Sequence, residues 1–152
     1  MKQTAALDIT PNGEEGAIWQ SGAGPAADPQ GYIYLLAANG TFDTVLNSNG
    51  FPSRGDFGNS FLKISAHGRT LSVADYFTMF NVVKENGTDG DLGSGGPMVL
   101  PDMTDASGRT WRLAVGAGKD HFGGGNKFIT PMIANGKVYV GTTNGVGVFG
   151  LF

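Results

Sequence analysis

The chain has 152 residues, of which 26 are glycine, with a formal net charge of −3 and no cysteine. The missing cysteines exclude disulfides, thiolate catalysis and cysteine-ligated zinc. The acidic balance gives no electrostatic basis for binding nucleic acid or an anionic membrane surface.

The length predicts a single domain that covers residues 1–152. No apolar run approaches the roughly 18 residues needed to span a bilayer. The first fifteen residues also lack the apolar centre of a signal peptide. The sequence therefore predicts no membrane partner and leaves the cellular location open.

Glycine in excess, together with Val, Ile, Phe, Tyr and Thr, predicts many short strands joined by tight turns. Six Asn-Gly dipeptides strengthen this prediction, because both residues tolerate the positive φ of a hairpin turn. No segment predicts a helix of ten residues, and Val73–Lys84 is expected to be a strand and then a loop with one helical turn. The predicted strands are Ala17–Gln20, Tyr32–Ala37, Ser60–Ser65, Thr70–Tyr76, Met98–Leu100, Trp111–Gly116, Ile129–Ala134, Lys137–Thr142 and Gly145–Phe149.

One pattern occurs twice in the chain. A proline opens a short apolar stretch, and a glycine turn, a tyrosine-bearing strand and an Asn-Gly turn follow. The first copy runs over Pro25–Tyr34 and ends at Asn39, and the second runs over Pro131–Tyr139 and ends at Asn144. Self-similarity of this kind is typical of repeat architectures, and each copy predicts a hairpin.

A third, weaker copy lies between these two. In it Pro97 is expected to take the place of Pro25, and Trp111 the place of the tyrosine. The gap between Asp102 and Gly108 is interpreted as an insertion in a loop.

The repeat resembles the β-propeller repeat of pyrroloquinoline-quinone-type proteins over most of residues 18–149. This resemblance implies an all-β fold of antiparallel, propeller-like blades. The chain departs from the family's quinone enzymes, because Tyr34 and Tyr139 stand where those enzymes carry a docking tryptophan, and their vicinal cysteines are absent. Pyrroloquinoline quinone and alcohol oxidation are therefore not expected.

The length predicts an incomplete ring. A four-stranded blade takes about 40–45 residues, so the chain has room for three to four blades, whereas closed propellers have roughly 4–8. An open arc would leave sheet edges and apolar faces exposed. We therefore expect self-association, with a homodimer as the first choice.

A metal loop is predicted at Asp89–Gly95, a segment rich in Gly and Asp. Calcium prefers six to eight oxygen ligands, and Asp89, Asp91 and Asn86 could supply some of them. The alternative interpretation is a solvated turn.

A catalytic role is predicted for Asp120 and His121, two neighbouring titratable residues before a glycine-rich stretch. His121 could relay a proton as a general base oriented by a carboxylate. As neighbours in an extended segment, Asp120 and His121 would point to opposite faces and would not naturally pair. Serine chemistry is not predicted, because Leu92 stands where a nucleophile elbow around Ser94 needs glycine.

Two classes of function remain open. The first is a calcium-assisted hydrolase of a small lactone or ester, in which the metal activates water. The second is a non-catalytic propeller-repeat fragment that binds a ligand or a partner chain.

Overall fold

The computed structural model describes residues 2–116, 132–134, 137–142 and 145–149, and in them the all-β prediction is confirmed. Besides the strands they contain a 3₁₀-helix, Gln20–Gly22, and one short α-helix, α1 (Val82–Asn86). No helix in this part of the chain is long and apolar enough to cross a membrane. The strands are β1 (Ala26–Ala27), β2 (Ile33–Leu36), β3 (Ser60–His67), β4 (Thr70–Thr78), β5 (Pro97–Val99), β6 (Met103–Thr104), β7 (Thr110–Trp111), β8 (Ala114–Gly116), β9 (Met132–Ala134), β10 (Lys137–Gly141) and β11 (Val146–Phe149).

The largest sheet is an antiparallel meander with the order β1-β2-β3-β4. The long hairpin of β3 and β4 was predicted at nearly these bounds. Its register shifts once: Lys63 pairs with Asp75 and Ile64 with Val73, so Ala74 is the extra residue of a β-bulge. A bulge increases the local twist of a strand and bends its edge.

The main core lies on one face of this sheet. Burial alternates along β3, as expected for a strand with one face against a core. Segments before β1 and between β2 and β3 cover the same face. The buried members of the cluster are Ile9, Leu35, Ala37, Phe57, Leu62 and Ile64.

The opposite face of the sheet receives a second, two-stranded sheet made of β5 and β8. Gly116 of β8 comes so close that an added Cβ would lie 3.0 Å from Leu36 and from Phe61. A smaller core joins this region to β10, with Leu100, Val138 and Val140 at its centre. Strands β9, β10 and β11 form a three-stranded sheet.

The hairpin predicted in both copies of the repeat is confirmed, with the same register. The residue after the proline pairs with the tyrosine in each copy, Ala26 with Tyr34 and Met132 with Tyr139. The spacing differs, because Ala27 pairs with Ile33 in the first copy and Ala134 pairs with Lys137 in the second.

The prediction for the third copy was half wrong. Trp111 does take the aromatic position, because it pairs with Met103 as Tyr34 pairs with Ala26. Pro97 does not correspond to Pro25, since it pairs with Gly116 in a different sheet. The matching hairpin is therefore β6–β7, and its first strand, β6, and its turn lie in the segment that was interpreted as a loop insertion. It also splits the predicted strand Trp111–Gly116 into β7 and β8.

Three hairpin loops share one pattern of hydrogen bonds. Each begins with Asp or Asn, and a glycine three residues later has a positive φ of 80° to 86° that favours glycine. A side-chain oxygen of the first residue accepts from the backbone N–H groups two and four residues ahead. The loops begin at Asp28, Asn47 and Asp105.

Two other predictions were wrong. Ala17–Gln20 is not a strand: Gln20 has a φ of 44° and begins the 3₁₀-helix, so the extended chain ends there. Asn39-Gly40 does not turn a hairpin, because Gly40 bridges to Glu15 and the next strand begins only at Ser60. In both cases contacts with residues distant in sequence accompany the departure from the local pattern, Ala17 bonding to Ala38 and Gly40 bridging to Glu15.

Candidate functional site

The predicted metal loop follows α1 and folds back onto the end of β2. Asn86 Oδ1 accepts hydrogen bonds from Asn59 Nδ2 at 3.0 Å and from the Gly40 N–H at 3.3 Å. Asp91 Oδ1 accepts from the Asn39 N–H at 2.8 Å. The loop therefore bonds to the Asn39-Gly40 segment, for which the sequence had predicted a separate hairpin turn.

Asn59 holds the centre of this arrangement. It is fully buried, and its φ of 54° is in the left-handed region, which Asn tolerates better than most residues. Its Nδ2 also donates to the Gly90 carbonyl at 2.8 Å, and its Oδ1 accepts from the Leu92 N–H at 2.8 Å. Sequence reasoning missed Asn59, because its partners lie about thirty residues away.

These contacts do not favour calcium at Asn86 and Asp91. Calcium needs six to eight oxygens at 2.3–2.6 Å, and the two oxygens above face N–H donors, whose positive ends would oppose a cation. Within the described ranges, no group of three or more acidic or histidine side chains could hold a metal. Asp89 has a φ of 55° and an exposed side chain.

The predicted catalytic pair, Asp120 and His121, lies outside the described residues. Its placement relative to Asp89 and Asp91 therefore stays a prediction.

An apolar groove of about 420 Å³ lies between the large sheet and β8. Strands β3 and β4 supply one wall and β8 the other. Among the described residues, its lining contains no charged side chain and no general acid, base or nucleophile. The lining residues are Phe61, Phe77, Met79, Leu92, Ala114, Val115 and Gly116.

Large apolar side chains are exposed on the groove wall and in the residues that follow it in sequence. Phe77 on its wall is 64% exposed, and Phe80, which follows Met79 of the lining, is fully exposed. Val83, on the first turn of α1, is 64% exposed. An aromatic side chain buries about 150–250 Å² on docking, so the two phenylalanines alone leave on the order of 300 Å² of aromatic surface in water. Patches of this size on a monomer are often functional.

The sequence contains a signal for this exposed apolar surface, although its pattern of strands and turns did not predict it. The run Tyr76-Phe77-Thr78-Met79-Phe80 stays rich in large apolar residues past the end of β4, where a loop would be expected to turn polar.

Among the described residues, large pKa shifts occur at Tyr34 and Asp105, which belong to two of the hairpins. Burial and the hydrogen bond that its hydroxyl donates to Asp28, at 2.9 Å, raise the pKa of Tyr34 to about 12. Lys63 Nζ lies 4.0 Å from the centre of the neighbouring Tyr32 ring. At the β6–β7 loop, hydrogen bonds from Ser107 and from the Trp111 indole lower the pKa of Asp105 to about 2. In each loop, the carboxylate of the first residue also accepts a hydrogen bond from the aromatic residue six positions ahead, Tyr34 for Asp28 and Trp111 for Asp105. These carboxylates therefore have a structural role.

No protein-family model, curated protein or solved structure matches this chain. Its function is therefore inferred from its own residues and from the resemblance of its repeat.

Proposed function

We propose that this chain is a propeller-repeat module of the pyrroloquinoline-quinone type that acts by binding a partner chain and not by catalysis. A second copy of the same chain is the first candidate partner. The repeat supports this proposal, because two copies pair the residue after the proline with the tyrosine in the same register. The meander β1-β2-β3-β4 has the strand number and the consecutive order of one propeller blade.

The observation that carries the proposal is the apolar groove with exposed Phe77 and Phe80 beside it. A soluble protein that leaves two large aromatic side chains in water next to an open apolar groove gains free energy when a partner covers them. An incomplete ring would expose such a surface where the next blade is missing.

The same observation favours binding over hydrolysis. The described residues that line the groove include no titratable group, and one oxygen each of Asn86 and Asp91 already accepts hydrogen bonds from backbone or side-chain N–H groups. The hydrolase interpretation now depends on Asp120 and His121, for which no geometry is described.

Sedimentation velocity over a wide range of protein concentration tests the proposal. We expect a reversible dimer of the 15.8 kDa chain that dissociates on dilution. A single species of 15.8 kDa at every concentration would contradict self-association.

A parallel assay tests catalysis. A panel of short lactones and esters is incubated with the protein in calcium and in chelator, and melting temperature is measured in both. We expect no turnover and no shift of melting temperature on chelation. Calcium-dependent turnover would overturn the non-catalytic proposal and support the hydrolase.

A further inference from the structure

We propose that Asn49 is a site of spontaneous covalent modification, where its side chain cyclises onto the Gly50 nitrogen, loses ammonia and gives aspartyl and isoaspartyl products. The isoaspartyl product then weakens the contact between Tyr76 and the loop that joins β2 to β3. The modification needs no enzyme and takes place whether or not the chain binds a partner, so it does not rest on the proposed function.

The reaction uses only the chain and water. The Gly50 nitrogen attacks Asn49 Cγ, a bond forms between these two atoms, and the bond from Cγ to Nδ2 breaks. The proton of the Gly50 nitrogen passes through solvent to Nδ2, which leaves as ammonia, and a five-membered succinimide remains. Water then opens the ring. Attack at Cγ gives aspartate on the original backbone, whereas attack at the main-chain carbonyl gives isoaspartate, whose backbone runs through Cβ and Cγ.

The other three Asn-Gly pairs in the described part of the chain are held by the fold. Asn12 Nδ2 donates to the Arg54 carbonyl at 2.6 Å, and Asn39 Nδ2 donates to a Glu15 carboxylate oxygen at 3.1 Å. Asn86 Oδ1 accepts the two hydrogen bonds described above. A bonded amide must break its contacts before its carbon can meet the glycine nitrogen. These three pairs therefore react only through local unfolding.

Asn49 differs from these three. It is exposed, and no described residue forms a hydrogen bond with its side-chain amide. The Gly50 N–H donates to the Asn47 carbonyl at 3.0 Å, so this bond must open before the reaction. It lies in an exposed four-residue turn, and an added Cβ at Gly50 would meet no described atom within 4 Å. Opening an exposed turn of this kind costs little free energy.

Comparison of the three hairpin loops shows that the loop does not require asparagine here. The residue before the positive-φ glycine is Gln30 in the first loop, Asn49 in the second and Ser107 in the third. Glutamine would have to close a less favourable six-membered ring, and serine has no side-chain carbonyl. Only the second of these loops can therefore form a succinimide. Since all three loops share one hydrogen-bond pattern, Asn49→Gln and Asn49→Ser are expected to fold normally.

The modified bond lies next to contacts with the core. The Gly50 carbonyl accepts a hydrogen bond from the Tyr76 hydroxyl at 2.8 Å, and the Phe51 and Tyr76 ring centroids are 5.6 Å apart. Isoaspartate adds one backbone atom before Gly50, which displaces Gly50 and Phe51 relative to Tyr76. Aspartate keeps the backbone and adds only an exposed charge. The isoaspartyl form is therefore the one that should destabilise the protein.

Peptide mapping by mass spectrometry tests the site. The full chain is kept in mildly alkaline buffer at physiological temperature, and conversion of amide to acid is followed at each Asn-Gly pair. We expect Asn49 to react at least about tenfold faster than the three bonded pairs, because they need local unfolding. A rate at Asn49 that does not exceed theirs would overturn the proposal. In urea the four rates should converge. A difference that persists in urea would assign the rate to the neighbouring sequence and contradict protection by the fold.

Ageing experiments test the structural consequence. Synthetic peptides of both forms serve as chromatographic standards for the aspartyl and isoaspartyl products. Aged wild type should melt a few degrees lower as isoaspartate accumulates, whereas Asn49→Gln and Asn49→Ser aged in parallel should keep their melting temperatures. Fresh Asn49→Asp carries the charge without the additional backbone atom and should melt like fresh wild type.

Three results would overturn this consequence. The first is isoaspartate-containing wild type that melts unchanged. The second is an equal loss of melting temperature in the aged Asn49→Gln and Asn49→Ser variants. The third is a loss in fresh Asn49→Asp as large as that in aged wild type, which would assign the effect to the charge.

Discussion

Asn59 donates its side-chain amide to Asn86 Oδ1 over 3.0 Å, across 27 residues of sequence. With its bonds to Gly90 and Leu92, this contact fastens the loop after α1 to the start of β3. Side-chain oxygens of Asn86 and Asp91, two of the predicted metal ligands, accept hydrogen bonds here from N–H groups of Asn59, Gly40 and Asn39.

Asn59→Ala should destabilise the protein by about 3 kcal/mol. The substitution removes three buried side-chain hydrogen bonds, each worth about 1 kcal/mol net, and leaves the Leu92 N–H without its acceptor. Urea unfolding followed by circular dichroism measures the loss. Glycine adopts a φ of 54° without strain, so Asn59→Gly removes the hydrogen bonds but adds no backbone strain. A similar loss of unfolding free energy in both variants would therefore assign the loss to the hydrogen bonds. A cost below about 1 kcal/mol in Asn59→Ala would contradict this account.

Gly93→Ala should also destabilise the chain, by about 1–3 kcal/mol, because an added Cβ would collide with the backbone of Ala37 and Ala38. The matched control is Gly24→Ala, where nothing lies within 4 Å of the added Cβ and φ is not positive. We expect the control to be neutral or slightly stabilising. Equal melting temperatures for the two variants would show that the loop is not packed against β2 in this way.

Asp105 should titrate at about pH 2, as followed by the NMR signal of the Trp111 indole N–H that it binds. The folded pKa lies below the ordinary 3.8, so the folded state binds fewer protons near pH 3. The stabilisation is therefore complete above about pH 4 and is lost as the pH falls through about 2. Asp105→Ala should shift the indole signal at neutral pH and remove its titration. A midpoint near 3.8 in the wild type would contradict the hydrogen-bonded loop.

Tyr34 should ionise at about pH 12. Its folded pKa is raised above the ordinary 10, so its contribution to stability is present below pH 10 and is lost as the pH rises through 12. Ultraviolet absorbance of the phenolate measures this, and Tyr34→Phe identifies the component. Asp28→Asn should lower the midpoint, because it removes the negative charge that opposes ionisation of Tyr34. An unchanged midpoint in that variant would contradict this role for Asp28.

Local patterns were enough to predict most strands. Apolar and polar residues alternate along Lys137–Gly141 and along the β3–β4 hairpin, and the structure has strands at both places. The strand prediction for Ala17–Gln20 was wrong because this segment makes only a single backbone hydrogen bond to Ala38, whose N–H donates to the Ala17 carbonyl. The alternation of its own residues did not decide its conformation.

The site was harder to predict for the same reason. The composition of residues 86–91 is compatible with a cation loop and with a hydrogen-bonded loop, and only the position of Asn59 distinguishes them. The apolar groove joins Phe77 to Val115, residues 38 positions apart whose proximity no local pattern encodes.

The three hairpin loops also bear on the order in which the chain folds. Bonds within the loop at Asp105 span at most six residues, whereas those of Asn59 to Gly90 and Leu92 span 31 and 33. Short loops close in well under a microsecond and hairpins form within about 1–10 μs, while distant contacts cost more chain entropy and form later. The hairpins are thus expected to be early folding units, and the bonds of Asn59 to the loop after α1 are expected to form later.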